Sequence, residues 1–120
     1  MNARTRVLSI ALVLLLLASL APAQDAKHEA QLRTVHGVVM DKSESPVASA
    51  IVFMKNTRSN AVRSYIADEQ GNYRFSGLDP NTDYEVHAEK DGLQSLTRTV
   101  SSFDSKKDIN VNLKIDRKKG

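Results

Sequence analysis

The 120-residue chain has no cysteine and no tryptophan, and only three prolines, five glycines, three tyrosines and three phenylalanines. Without cysteine there is no disulfide framework, no thiol nucleophile and no thiolate metal site, so a folded domain must be held by its core alone. The same absence excludes a lipid-modified cysteine at an export cleavage point. Scarce aromatics leave few flat faces for stacking on sugar rings. Beyond Leu20 no stretch repeats with helical periodicity, and nothing recurs as an internal repeat. The 17 basic residues outnumber the 14 acidic ones, but Arg4 and Arg6 stand in a leader whose loss would leave 15 against 14. Nucleic acid is therefore not an expected partner, because no basic stripe remains to neutralise phosphates.

What is present begins with an export leader. Met1–Arg6 carries two arginines and no acid, Val7–Leu20 is a 14-residue apolar run broken only by serines, and Ala21, Pro22 and Ala23 place small residues where a signal peptidase cuts. Cleavage is expected between Ala23 and Gln24, with release to a periplasm or the medium and no stable membrane anchor. A comfortable span needs about 20 apolar residues, more than this run offers. The alternative, an uncleaved anchor, is disfavoured because Asp25, Lys27, His28 and Glu29 follow at once. Removal of residues 1–23 leaves 97, enough for one modest core.

The rest reads as short strands. Arg33–Met40 alternates Val35, Gly37 and Val39 against His36, Val38 and Met40. Asp41–Pro46 is a turn. Ala50–Met54 is apolar on both faces, so this strand is either covered on both sides or exposes Ile51 and Phe53. Val62, Ser64 and Ile66 alternate with Arg63 and Tyr65 in a third strand, and Asp68–Asn72 predicts a tight hairpin with Gly71 at positive φ. Tyr73 and Phe75 share a face of a short fourth strand. Tyr84, Val86 and Ala88 alternate with Glu85, His87 and Glu89 in the fifth, Leu96–Val100 makes a weaker sixth, and Ile109, Val111, Leu113 and Ile115 mark the seventh. Seven strands with regular turn signals predict an all-β, immunoglobulin-like or prealbumin-like sandwich. The expected core is Val35, Val39, Val52, Tyr73, Phe75, Tyr84, Val86, Val111 and Leu113.

In order and spacing, Val35–Asp41, Pro46-Val47, Ala50–Val52, Asp68 with Gly71, Tyr73, Phe75 and Leu78, and Tyr84–Ala88 with Gly92 resemble the carboxypeptidase regulatory-like domain. The resemblance implies a prealbumin-like sandwich, grouped with carbohydrate-binding-like folds, that serves as an accessory or adhesive module in exported bacterial proteins. It implies no peptidase activity, since the zinc ligands and general base of those enzymes belong to a separate domain. A related adhesin domain joins a lysine to an asparagine with the help of a buried acid. Here Ala88 stands where that acid is expected and Glu89 points the other way, so the crosslink is not carried over. The domain layout is then signal peptide 1–23, flexible lead 24–32, sandwich 33–115 and charged tail 116–120.

The candidate sites follow from strand phase. Glu85, His87 and Glu89 line one outward face, where they could meet a cation or sugar hydroxyls, but structural zinc wants four ligands and no fourth is evident. Serines are plentiful, yet none has a Gly-x-Ser-x-Gly surround, so no enzyme, cofactor or metal is expected. The Asp68–Asn72 oxygens lack the ligand pattern of a calcium loop. Phe53, Tyr65 and Phe103 remain as platforms for a glycan, the alternative to an exported, non-enzymatic interaction module of the bacterial envelope. Val38, Met40, Ile51 and Phe53, on two strands expected to be close, form the expected interaction patch with Tyr65. An envelope protein, a glycan or a second copy could cover it. The bland alternative is an ordinary apolar surface shielded by lysine and arginine stems.

Overall fold

In β1 (Arg33–Met40) every odd-numbered side chain is buried and every even-numbered one is half-exposed, so its two faces are set by the alternation of residue types. The computed structural model describes residues 31–120, where the regular elements are strands. The expected signal peptide, the Ala23–Gln24 cleavage point and the lead as far as Ala30 lie outside the described residues. After β1 come β2 (Ile51–Asn56), β3 (Val62–Ile66), β4 (Asn72–Leu78), β5 (Tyr84–Lys90), β6 (Leu93–Ser95), β7 (Arg98–Val100), β8 (Asp108–Asn110) and β9 (Leu113–Lys118).

The strands pair in the order β3-β2-β5-β6-β9-β1-β4, with β7 beside β5 and β8 beside β1. The two ends of that path nearly meet. Across the gap between β3 and β4 the Tyr65 ring packs edge-on to Phe75 at 6.0 Å, and Arg63 Nη1 donates to the Ser76 carbonyl at 3.2 Å. The sheet is thus a flattened sandwich, almost closed into a barrel. All nine expected core residues are buried inside it, joined by Met54, Leu78, Ala88, Val100, Ile109 and Ile115. Ala88 is fully buried on the inward phase, which leaves no acid at that place.

Several expectations are corrected. The seventh strand is interrupted at Val111 and Asn112, although β8 and β9 both run parallel to β1 in one continuous register, Val35 opposite Ile109 and Val39 opposite Leu113. Between them Val38 N donates to Asn112 Oδ1 at 3.0 Å, so a side chain replaces the ladder acceptor. Gly37 faces this point because only a residue without Cβ fits: a Cβ there would lie 1.9 Å from the Val111 carbonyl oxygen. The Tyr73 hydroxyl donates to that same carbonyl.

The expected sixth strand, Leu96–Val100, shortens to β7 (Arg98–Val100), and an unexpected β6 (Leu93–Ser95) precedes it; between them the buried Ser95 hydroxyl takes the Ala88 N–H at 2.9 Å and donates to its neighbour Leu96's carbonyl. Strand four is not short, spanning seven residues with a bulge at Gly77, φ 71°, where its pairing to β1 slips by one. Gly71 does take positive φ, 77°, but Asp68–Asn72 joins no hairpin: β3 pairs with β2 and β4 with β1, so this turn carries the chain from one sheet to the other. The charged tail is strand rather than tail as far as Lys118, since the open side of β6 accepts Arg117 and Lys118 as pairing partners.

The expected interaction patch also divides. β1 and β2 are separated by β5, β6 and β9 in the sheet order, so Val38 and Met40 lie on one outer face while Ile51 and Phe53 lie on the opposite one. The Asp41–Ala50 connection crosses between the sheets, which sequence adjacency does not reveal.

Candidate functional site

Two outward faces carry the residues singled out above. On the β3–β2–β5 face, cross-strand pairing places Ile66 beside Ile51 and Glu89, Ser64 beside Phe53 and His87, and Val62 beside Lys55 and Glu85. These side chains face outward because Val52 and Met54, their alternates on β2, fill the core. The result is an apolar band in solvent: Ile51 is 41% exposed, Val62 59% and Ile66 69%. Phe53, half-buried among them, stacks on the His87 ring with centroids 5.1 Å apart and planes 21° off parallel. Glu89 accepts from Lys119 Nζ at 2.9 Å and lies 3.8 Å from His87 Nε2, so one edge of the band is an ionic row. Among the described residues no three histidine or carboxylate side chains converge as a ligand set for a metal.

The β4–β1–β8 face is polar. His36 lies between Arg74 and Asn110, and Val38 next to Asn72, around an open cleft of about 370 Å³. Tyr65 stands at its rim, 42% exposed, on the inward phase of β3 where the barrel fails to close. Met40 belongs to a different recess, with Leu96, Arg98 and Lys114. Phe103 projects from the 101–107 loop, 95% exposed. The sequence reading missed Val62 and Ile66, whose signal was their phase opposite Arg63 and Tyr65, and it missed Asn72, Arg74 and Asn110, whose signal was polar residues alternating with Tyr73 and Ile109.

Two carboxylates outside these faces, Asp68 and Asp83, hold loops in place. Asp68 accepts the N–H groups of Gln70 and Asn72, both at 2.9 Å, and the Asn72 bond holds its carboxyl below the ordinary range. Asp83 accepts the Ser102 N–H at 2.6 Å, which lowers its pKa likewise, with the Arg33 charge assisting. Arg33 is itself buried and ties down the 101–107 loop through bonds to the carbonyls of Ser101 and Lys106 at 3.0 and 3.1 Å.

The family model of the carboxypeptidase regulatory-like domain matches residues 34–115, nearly the whole described fold. The chain belongs to that family. In sequence the chain is 37% identical over 62 residues, 52% of its 120, to serine-aspartate repeat-containing protein I of Staphylococcus saprophyticus, of which it covers 3%. In fold it is similar to the C-terminal domain of the shaft pilin spaA from Lactobacillus rhamnosus GG, at 12% identity and a TM-score of 0.52, covering 72% of this chain and 98% of that one. It is also similar to catechol 1,2-dioxygenase from Acinetobacter sp. ADP1, at 15% identity and a TM-score of 0.55, covering 72% of this chain and 53% of that one.

The last likeness corrects the expectation that the chain is no enzyme. That expectation rested on the lack of a serine-hydrolase nucleophile setting, which does not bear on oxygenase chemistry, and a similar fold is found in a dioxygenase. An architecture shared by a pilin domain and an enzyme decides nothing about catalysis in either direction, since function resides in sites grafted on the fold.

Proposed function

We propose that the regulatory-like domain is an exported interaction module of the bacterial envelope that acts through the outer face of its β3–β2–β5 sheet. The observation that carries this reading is the apolar band of Ile51, Val62 and Ile66 around Phe53, a contiguous group of a kind that isolated monomers seldom leave open to water. Sequence likeness to a serine-aspartate repeat-containing protein and fold likeness to a pilin domain support an envelope setting. So does the export leader at residues 1–23. The mature chain then starts at Gln24, which intact-mass measurement on exported protein checks; a mass retaining residues 1–23, found in the membrane fraction, makes the uncleaved anchor correct.

The test is crosslinking in the native envelope with the wild type and with Ile51→Thr/Phe53→Thr. The double variant should keep its melting temperature within a few degrees and lose its crosslinked partner. An identical crosslinking pattern would move the working surface away from this face. A glycan is the second reading, favoured by the cleft in which Arg74, Asn110 and His36 gather beside the Tyr65 ring. Glycan-array binding that is lost in Tyr65→Ala and kept in Ile51→Thr/Phe53→Thr would decide for it.

A further inference from the structure

The sheet path has two open edges, and they are not alike. β4 is blunted by the bulge at Gly77, which breaks its register. β3 runs regularly for five residues, every one of them exposed, with no proline and a single charge. The hydrogen bonds at the two ends of the β2–β3 ladder, Asn56 N to the Ala61 carbonyl at 2.9 Å and Ala67 N to the Ala50 carbonyl at 2.8 Å, fix which way each peptide points. Odd-numbered residues of β3 bond to β2, so the N–H and C=O groups of Val62, Ser64 and Ile66 point out of the sheet.

We infer that β3 pairs with β3 of a second copy, antiparallel and two-fold symmetric about Ser64, joining two sandwiches through one continuous sheet. This rests on the reading of the domain as an interaction module and names a second copy as its partner.

The register follows from the residues. A two-fold axis at Ser64 sets Ser64 against Ser64 and Val62 against Ile66 as hydrogen-bonded pairs, which uses the very backbone groups left free. It brings Val62 and Ile66, the two most exposed aliphatic side chains of the band, over each other, and it sets Arg63 against Tyr65, a cation facing a ring instead of a like charge. Shifting the axis onto Arg63 would still let the free groups of Val62 and Ser64 pair, but it would oppose two arginines directly and set Ile66 against Asn60 instead of Val62. Five residues bury less than the roughly 1,200 Å² of a stable complex, so the pairing is reversible and favoured where copies are crowded.

The test is sedimentation equilibrium of the exported full chain from about 10 μM to about 1 mM, a range that spans weak association. The expected result is a weight-average mass rising toward twice the monomer. Ser64→Pro removes an N–H that has no partner in the monomer, at an edge position where a strand tolerates proline, so it should keep the fold and abolish the rise. Val62→Glu should weaken association at least about tenfold, and adding Ile66→Lys should restore it, because only this register brings residues 62 and 66 of different copies together. A monomer at every concentration overturns the pairing, as does a dimer indifferent to Ser64→Pro, or a double variant no tighter than Val62→Glu alone. None of those results touches crosslinking of another envelope partner through Ile51 and Phe53, so failure of the pairing and failure of the module reading are told apart.

Discussion

Phe75→Ala tests the packing on which both outer faces depend. Phe75 is 2% exposed, its ring meets Tyr73 and Tyr65 edge-on at 6.0 Å each, and the Arg63 guanidinium lies 5.6 Å above its centroid. Truncating a buried phenylalanine costs about 3–5 kcal/mol. The loss should lie in the upper part of that range, because two aromatic pairs, each worth about 0.5–1.5 kcal/mol beyond area burial, go with the ring. A domain of this size has about 4–13 kcal/mol in total, so one substitution removes a large share. The melting temperature should fall by about 12 °C or more. Phe75→Leu keeps most of the apolar volume and should cost about 1–2 kcal/mol. Urea denaturation of the three proteins measures this through the shift in midpoint, and hydrogen exchange should show β3 opening first, since Tyr65 and Arg63 rest on the missing ring. A midpoint unchanged by Phe75→Ala would refute the inward register of β4 and the bracing of β3 against it.

Other outcomes follow from single contacts. Gly37→Ala should cost about 3 kcal/mol or more by urea denaturation, because the obstacle to the new Cβ is the Val111 main chain, which cannot rotate aside. Arg33→Met should cost about 2–4 kcal/mol and speed hydrogen exchange in the 101–107 loop, since the carbonyls of Ser101 and Lys106 lose a buried cationic donor. Tyr73→Phe should cost about 1–2 kcal/mol, as the Val111 carbonyl loses its hydroxyl donor; an unchanged midpoint would mean that water replaces it. Asp68 and Asp83 have folded pKa values below their ordinary 3.8, so their contribution to stability is complete above that value and lost as the pH falls through the depressed ones. Urea midpoints should be flat from about pH 7 to pH 5 and decline below about pH 4, less steeply in Asp83→Asn.

The inward faces of the long strands were determined by the sequence alone, whereas the bounds of the later strands were not. A half-buried strand needs one apolar side chain in every two residues, and Val35–Val39, Tyr73–Phe75 and Tyr84–Ala88 each satisfy that locally, without reference to any neighbour. Even the interrupted last strand keeps the single register that Ile109, Val111, Leu113 and Ile115 suggest. Which strands become neighbours was decided only in three dimensions. Asp68–Asn72 has the local chemistry of a hairpin and makes its turn, yet it links opposite sheets, because the partner of each strand is chosen by how the whole apolar surface closes. For the same reason Val38 and Met40 parted from Ile51 and Phe53, whose outward phase was legible but whose sheet was not. The working surface depends on that second kind of information: Ile66, Ile51 and Glu89 stand in one row though far apart in the chain, and the free edge of β3 exists only because β4 left it for the other sheet. Side-chain periodicity is a property of the backbone's own repeat, whereas adjacency between strands is a property of the closed core.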